Sequence, residues 1–82
     1  MPNFTVTLPS LGDDAGDKAT VSVFFKEVGD DIKEGDDLVE MVTDKATFTV
    51  PSPVTGKVVS LVVGEDDVVK VGQGIAIVEV AG

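Results

Sequence analysis

Residues 38–50 read LVEMVTDKATFTV, which is two apolar runs separated by the four residues TDKA. In the second run Phe48 and Val50 alternate with threonines, and this period of two is typical of a strand with one buried face. The first run, residues 38–42, is short enough for a strand and is flanked by turn-forming aspartates. Two strands joined by so short a connection form a hairpin. We therefore predict a tight β-hairpin with residues 43–46 at its tip.

Short apolar runs of the same kind recur along the rest of the chain. Each run is bounded by Gly, Pro, Asp or Ser, and no window between these breakers is long enough for a helix. We therefore predict a single all-β domain over residues 1–82, with six to eight short strands arranged as a sandwich or a small barrel. The further runs are 4–8, 19–25, 57–63 and 75–80.

The two halves of the chain align when the sequence is shifted by 37 positions. The shift superposes four pairs of identical residues, Val21 with Val58, Asp30 with Asp67, Lys33 with Lys70 and Gly35 with Gly72. A true duplication and a shared hairpin pattern both explain such a match. A duplication would give the fold a pseudo-two-fold axis, with its two halves packed sheet on sheet. It would also pair the first strand with the last and separate the hairpin tip from both of them.

The composition excludes several kinds of chemistry. The chain has 15 acidic residues against six lysines, a net charge of -9, and neither cysteine nor histidine. Disulfides, thiolate catalysis, histidine general-base catalysis and the usual zinc sites are therefore excluded. The negative charge disfavours nucleic acid and anionic membrane surfaces as partners. With no apolar run long enough for a bilayer and no secretory signal pattern, we expect a cytosolic type of protein.

The remaining candidates for chemistry are carboxylates and lysines. Acidic runs lie beside glycines and lack the ligand spacing of a calcium loop, so we interpret them as solvated turns. Among the lysines Lys45 differs in context, because it lies at the predicted hairpin tip, where two strands would hold an outward-pointing amine in place. Such an amine suits covalent attachment, although spacing alone favours an ordinary surface lysine. The acidic runs are 13–14, 30–31, 36–37 and 65–67.

Residues 38–46, followed by VPSP at 50–53 and GKV at 56–58, resemble the lipoyl domain of the acyltransferase component of 2-oxo acid dehydrogenase complexes. The resemblance extends over nearly the whole chain. It implies a flattened barrel-sandwich of two small antiparallel sheets with pseudo-two-fold symmetry. It also implies that Lys45 is the attachment residue, with Asp44 and Ala46 as the flanking turn. Further matches lie at 8–12, 28–32, 34–36 and 69–73.

The resemblance implies a non-catalytic carrier with lipoate in amide linkage on Lys45. The dithiolane of lipoate, and not the protein, would then perform acyl and electron transfer. The implied partners are a thiamine-dependent 2-oxo acid decarboxylase, the acyltransferase core, dihydrolipoyl dehydrogenase, and a lipoate ligase or lipoyl transferase. The implied location is the cytoplasm, or the mitochondrial matrix in a eukaryote.

Two alternative hypotheses of function involve the same fold. A biotin carrier would place methionine on both sides of the lysine, whereas Asp44 and Ala46 flank it here. An unmodified structural adaptor would normally lack the tip lysine and lie between long helical segments. An independent enzyme is disfavoured, because no nucleophile and base can be assembled without His or Cys.

The chain departs from the family pattern in three places. Val42 stands where many members carry an acidic residue, and Asp66 stands where glycine is usual. The loop 13–18 lacks the common Gly-Glu-Gly form. None of these departures affects Lys45 itself, but they bear on partner specificity.

Overall fold

The computed structural model describes residues 2–9 and 16–80, and within these ranges the chain forms eight β-strands and no helix. Accordingly, the described residues contain no helix that could cross a membrane. The prediction of an all-β domain with six to eight strands is confirmed. The strands are β1 Asn3–Thr7, β2 Lys18–Phe24, β3 Asp31–Ile32, β4 Asp37–Val42, β5 Thr47–Pro51, β6 Gly56–Leu61, β7 Val68–Lys70 and β8 Gly74–Val80.

The strands form two four-stranded antiparallel sheets, in the orders β1-β8-β6-β3 and β5-β4-β2-β7. Side chains from alternate positions along the strands fill the space between the two sheets. Val21 and Val58, the central residues of β2 and β6, are both fully buried. The one buried polar side chain among the described residues is Ser52, whose Oγ donates a hydrogen bond to the carbonyl oxygen of Val54 at 2.6 Å. Packing of branched side chains therefore holds this small domain together.

The internal repeat is a real property of the structure. The shift of 37 residues carries β2, β3 and β4 onto β6, β7 and β8, and it exchanges the two sheets. Single hydrogen bonds repeat as well, because the amide of Gly29 donates to Val58 at 2.7 Å while the amide of Asp66 donates to Val21 at 2.8 Å. β1 and β5 complete the symmetry at a shift of 44 residues. A shared hairpin pattern would not reproduce these long-range pairings, so the pseudo-two-fold axis is confirmed.

The acidic turns behave as the sequence predicted. Asp30 accepts a hydrogen bond from the amide of Glu27 at 2.9 Å, and Asp67 accepts one from Gly64 at 2.8 Å. Asp36 accepts a similar bond, whereas the run 13–14 lies outside the described residues. These carboxylates cap their own turns, as aspartates beside glycines commonly do.

The departure from the family pattern at Asp66 coincides with an unusual backbone conformation. Asp66 has a φ of 73°, and its symmetry equivalent Gly29 has a φ of 97°. Both halves therefore use the left-handed region at this turn. Glycine adopts that region without steric cost, and Asp is one of the few other residues that tolerate it.

The hairpin tip and the end of the last described strand lie at opposite ends of the domain. Gly56 of β6 pairs with Val80 on one side and with Ile32 on the other, so the end of β8 is level with β3 across β6. β4 begins at Asp37, shortly after β3, and runs away from that end for six residues, which is ~20 Å at the usual rise per residue. β1 pairs with β8, as the duplication predicted, while Ala81 and Gly82 lie outside the described residues.

Candidate functional site

Lys45 occupies the tip of the hairpin between β4 and β5. Val42 pairs with Thr47, and the amide of Thr43 donates a hydrogen bond to the carbonyl oxygen of Ala46 at 2.8 Å. Asp44 and Lys45 are then the two residues of the loop. Both are exposed, as is Ala46. The structure therefore brings the three residues singled out in the sequence together at one protruding point.

The other five lysines do not occupy such a position. Lys18, Lys57 and Lys70 belong to strands, and Lys26 and Lys33 lie in the turns that follow β2 and β3. All of them are exposed except Lys26, which is half-buried. Exposure therefore does not distinguish Lys45 from the other lysines. Its location on a two-residue loop does.

The turn at the tip is held by a side chain that the sequence analysis did not single out. Two-residue hairpin loops usually place one or both residues at positive φ, yet Asp66 is the sole non-glycine residue with positive φ in the described chain. Instead the Oγ1 of Thr43 accepts hydrogen bonds from the amides of Lys45 at 3.2 Å and Ala46 at 3.1 Å. It also donates to the carbonyl oxygen of Ala46 at 3.2 Å. A threonine two residues before a loop lysine was the available signal, since Ser and Thr hydroxyls form such local turns.

We predict that Thr43→Val loosens the tip without unfolding the domain. Valine has nearly the same shape but no hydroxyl, so the three local hydrogen bonds are lost. The free energy of unfolding should fall by about 1 kcal/mol, because the freed amides regain water at this exposed site. Amide hydrogen exchange of Ala46 should accelerate by about tenfold, as measured by NMR. Thr43→Ser keeps the hydroxyl, so its Ala46 amide should exchange at the native rate. If the Ala46 amide of the valine variant also exchanged at the native rate, the role given to the hydroxyl would be wrong.

An open groove lies beside the tip, with a volume of about 560 Å³. Thr43 and Asp44 form one wall, together with Val42 at the end of β4. The rest of its described lining is formed by Gly16 and Asp17, by the start of β2 and by Val68, the first residue of β7. The groove beside the tip therefore has apolar as well as charged lining residues.

A known family accounts for this arrangement. A family model named Biotin_lipoyl, described as biotin-requiring enzyme, matches residues 4–78. The chain belongs to the biotin/lipoyl family. The match spans β1 to β8 and includes the hairpin tip, so the fold and the tip are parts of one biotin/lipoyl domain.

Curated relatives of this biotin/lipoyl domain include acyltransferase components of pyruvate, 2-oxoglutarate and branched-chain 2-oxo acid dehydrogenase complexes. The component of the pyruvate dehydrogenase complex from Corynebacterium glutamicum is 39% identical over 75 residues, which are 92% of this chain and 11% of the relative. The chain spans between 11% and 19% of the length of the curated relatives that it matches most strongly.

Solved structures share the fold of the biotin/lipoyl domain. The lipoyl domain of the 2-oxoglutarate dehydrogenase complex from Azotobacter vinelandii has a TM-score of 0.74 and 23% identity, with 95% of this chain and 98% of that chain covered. A single-chain, multi-domain long-chain acyl-CoA carboxylase has a TM-score of 0.79 and 19% identity, with 98% of this chain and 7% of that chain covered. The predicted barrel-sandwich of two small sheets is confirmed.

Proposed function

We propose that this domain carries lipoate in amide linkage on Lys45. In this role it would pass acyl groups and reducing equivalents between the active sites of a 2-oxo acid dehydrogenase complex. The observation that carries the proposal is the exposed Lys45 side chain on a two-residue loop, in a chain whose curated relatives are named for a dihydrolipoyl-lysine residue. The curated relatives are acyltransferase components of these complexes, and this supports lipoate as the attached group.

The residues of the tip fit covalent attachment. The Lys45 side chain is exposed, so an attaching enzyme can reach its amine and the product needs no buried space. Thr43 fixes the backbone of the loop, and Asp44 and Ala46 complete it without bulky side chains. When bound, lipoate supplies the acyl-transfer and redox chemistry through its dithiolane. The residues of this domain hold and present the arm, and we assign them no catalytic role.

The proposed partners follow from this role. They are a thiamine-dependent 2-oxo acid decarboxylase, an acyltransferase core, dihydrolipoyl dehydrogenase, and the lipoate ligase or lipoyl transferase that loads Lys45. Amide formation removes the one positive charge of the loop and leaves Asp44 beside the arm. A tip of this charge is complementary to a positively charged active-site entrance, which favours encounter.

Biotin is the alternative group, because the family includes biotin-dependent enzymes and one structural neighbour is an acyl-CoA carboxylase. The residues that flank Lys45 argue against it. Biotin carriers place methionine on both sides of the lysine, whereas Asp44 and Ala46 stand there in this chain. Both methionines of the chain are elsewhere, at positions 1 and 41.

Co-expression with attaching enzymes tests the choice of group. The domain is produced with a lipoate ligase and lipoate, or with a biotin ligase and biotin, and its intact mass is measured. We expect one lipoyl adduct per chain in the first case and no adduct in the second. A biotin adduct would overturn the proposal. So would an unmodified chain in the presence of a lipoate ligase that loads a known lipoyl domain.

A further inference from the structure

One row of side chains crosses the outer face of a sheet just below the hairpin tip. Val42 pairs with Thr47 on one side and with Thr20 on the other, and Thr20 pairs with Val68. Directly paired residues of antiparallel strands point to the same face of the sheet. We call these four residues the tip row. It spans four strands, which is ~14 Å at the usual strand spacing, and it carries no charge.

The pseudo-two-fold axis supplies an internal comparison for this row. The equivalent positions at the other end of the molecule are Asn3, Glu79, Lys57 and Asp31, and they pair in the same order. We call them the opposite row. Three of its four residues are charged, which is ordinary for the outer face of a sheet in a chain with 26% charged residues. The two rows have the same backbone geometry, so the absence of charge in the tip row is a property of its side chains.

Three residues of the tip row also line the larger of two equivalent grooves. The groove beside the tip measures about 560 Å³; it contains Val42, Thr20 and Val68, and its charged lining residues are Asp17, Lys18 and Asp44. The equivalent groove at the other end measures about 330 Å³ and contains Glu79, Lys57 and Asp31.

The two valines of the tip row are exposed, with Val42 at 37% and Val68 at 56% of their full accessible surface. Thr20 lies between them, and its methyl group links their apolar surfaces across the three strands. A continuous exposed apolar surface commonly marks a place where something binds.

We propose that the tip row is a resting site for the arm carried by Lys45. This inference rests on the proposed function, because it takes the arm to be an apolar acyl chain. In the resting state the methylene groups of the arm lie along Val42 and Val68, and the ring at its end is covered in part by the groove. In the extended state the arm leaves the groove and reaches partner active sites.

The chemistry of the row suits this occupant. The arm is neutral once its amide has formed, so a floor of valine and threonine methyl groups accepts it without burying a charge. The covalent bond to Lys45 raises the local concentration of the arm, so the small apolar surface of the tip row is enough to bind it for part of the time. Thr43 and Asp44, which precede Lys45, line the same groove, so the arm starts at its edge. Glu40 is the next outward-facing residue of β4 after Val42, on the side away from the tip. The uncharged surface of the tip row therefore ends at Glu40.

A chemically attached chain tests the site without any attaching enzyme. The chain contains no cysteine, so Lys45→Cys offers one thiol for an octyl methanethiosulfonate reagent, with the methyl reagent as the control. We expect NMR cross-peaks between the octyl chain and the methyl groups of Val42 and Val68. We also expect larger amide shifts along the tip row with octyl than with methyl. An octyl chain without these cross-peaks would overturn the inference, whatever group the native lysine carries.

The loaded domain gives the second test, in which the disulfide of the arm is reduced by a water-soluble phosphine. The double variant Val42→Glu with Val68→Asp places the charges of the opposite row beside the tip. Its arm should be reduced about three- to tenfold faster than the arm of the native domain, because it spends more time in solvent. The matched control, Glu79→Val with Asp31→Val, changes the opposite row and should leave the rate unchanged.

The outcomes of this experiment separate the two proposals. Equal reduction rates in the native domain and the tip-row variant would overturn the resting site and leave the carrier function intact. A native domain whose Lys45 accepts no lipoate would overturn the carrier function, and the octyl experiment would still decide whether the tip row binds an apolar chain.

Discussion

Replacing Lys45 by arginine should abolish the attachment of lipoate completely. Arginine keeps the charge and most of the length of the side chain, but its guanidinium is not acylated in place of a lysine amine. Lys45→Ala should give the same result. The measurement is the intact mass after co-expression with a lipoate ligase, in which the lipoyl adduct should disappear from both variants.

The control for this experiment is Lys33→Arg, which changes an exposed turn lysine outside the hairpin. It should be loaded to the same extent as the native domain. The loop side chain makes no contribution to the core, so both Lys45 variants should keep the free energy of unfolding within about 0.5 kcal/mol of the native value. A lipoyl adduct that persists in either variant would refute the assignment of Lys45.

Inserting one residue between Lys45 and Ala46 should reduce loading by about 100-fold or more. The loop then has three residues, and the Thr43 hydroxyl can no longer reach the amides of both neighbours in the present register. The amine is displaced from the position that β4 and β5 give it. Misplacing a reacting group by about 1 Å is enough to cost a factor of this size. The initial rate of lipoylation of the purified, unmodified domain by purified ligase measures the effect.

Two further variants test whether loading depends more on the position of Lys45 or on the residues around it. Asp44→Asn keeps the loop length and removes a charge, so it should slow loading by less than about threefold. Glu34→Gln removes a charge from an exposed turn outside the hairpin and should leave the loading rate unchanged. If the insertion after Lys45 is loaded at the native rate, recognition does not depend on the position of the tip.

The sequence predicted the fold well because alternation is a strong signal in strands of five or more residues. The six apolar runs correspond to the six longer strands, with ends that differ by one or two residues. β3 and β7 have two and three residues, which is too short for a period of two to emerge. The repeat nevertheless aligns them, because the shift of 37 residues superposes Ile32 on Val69, and both residues are buried. The repeat therefore carried information that local patterns could not.

The candidate site was only partly predictable. A lysine between two apolar runs indicated the hairpin tip, because loop length is a local property. The hydrogen bonds of Thr43 depend on the backbone angles of the loop, and other turns with the same residues would not form them. The tip row joins Val42, Thr20 and Val68, which are far apart in the chain. Their alignment depends on strand register, and β-bulges shift that register in both sheets.

The symmetry also relates the hairpin tip to the place where β8 meets β1. The amide of Val80 donates to the carbonyl oxygen of Pro2 at 2.9 Å, just as Thr43 donates to Ala46 at 2.8 Å. The two strands are thus arranged as a hairpin that lacks only its loop. Bridging Val80 to Pro2 with the pair Asp-Lys, and opening the chain in another turn, would give a circular permutant with a second tip. Such a molecule would be bivalent, with two lysines that point in opposite directions from one rigid body.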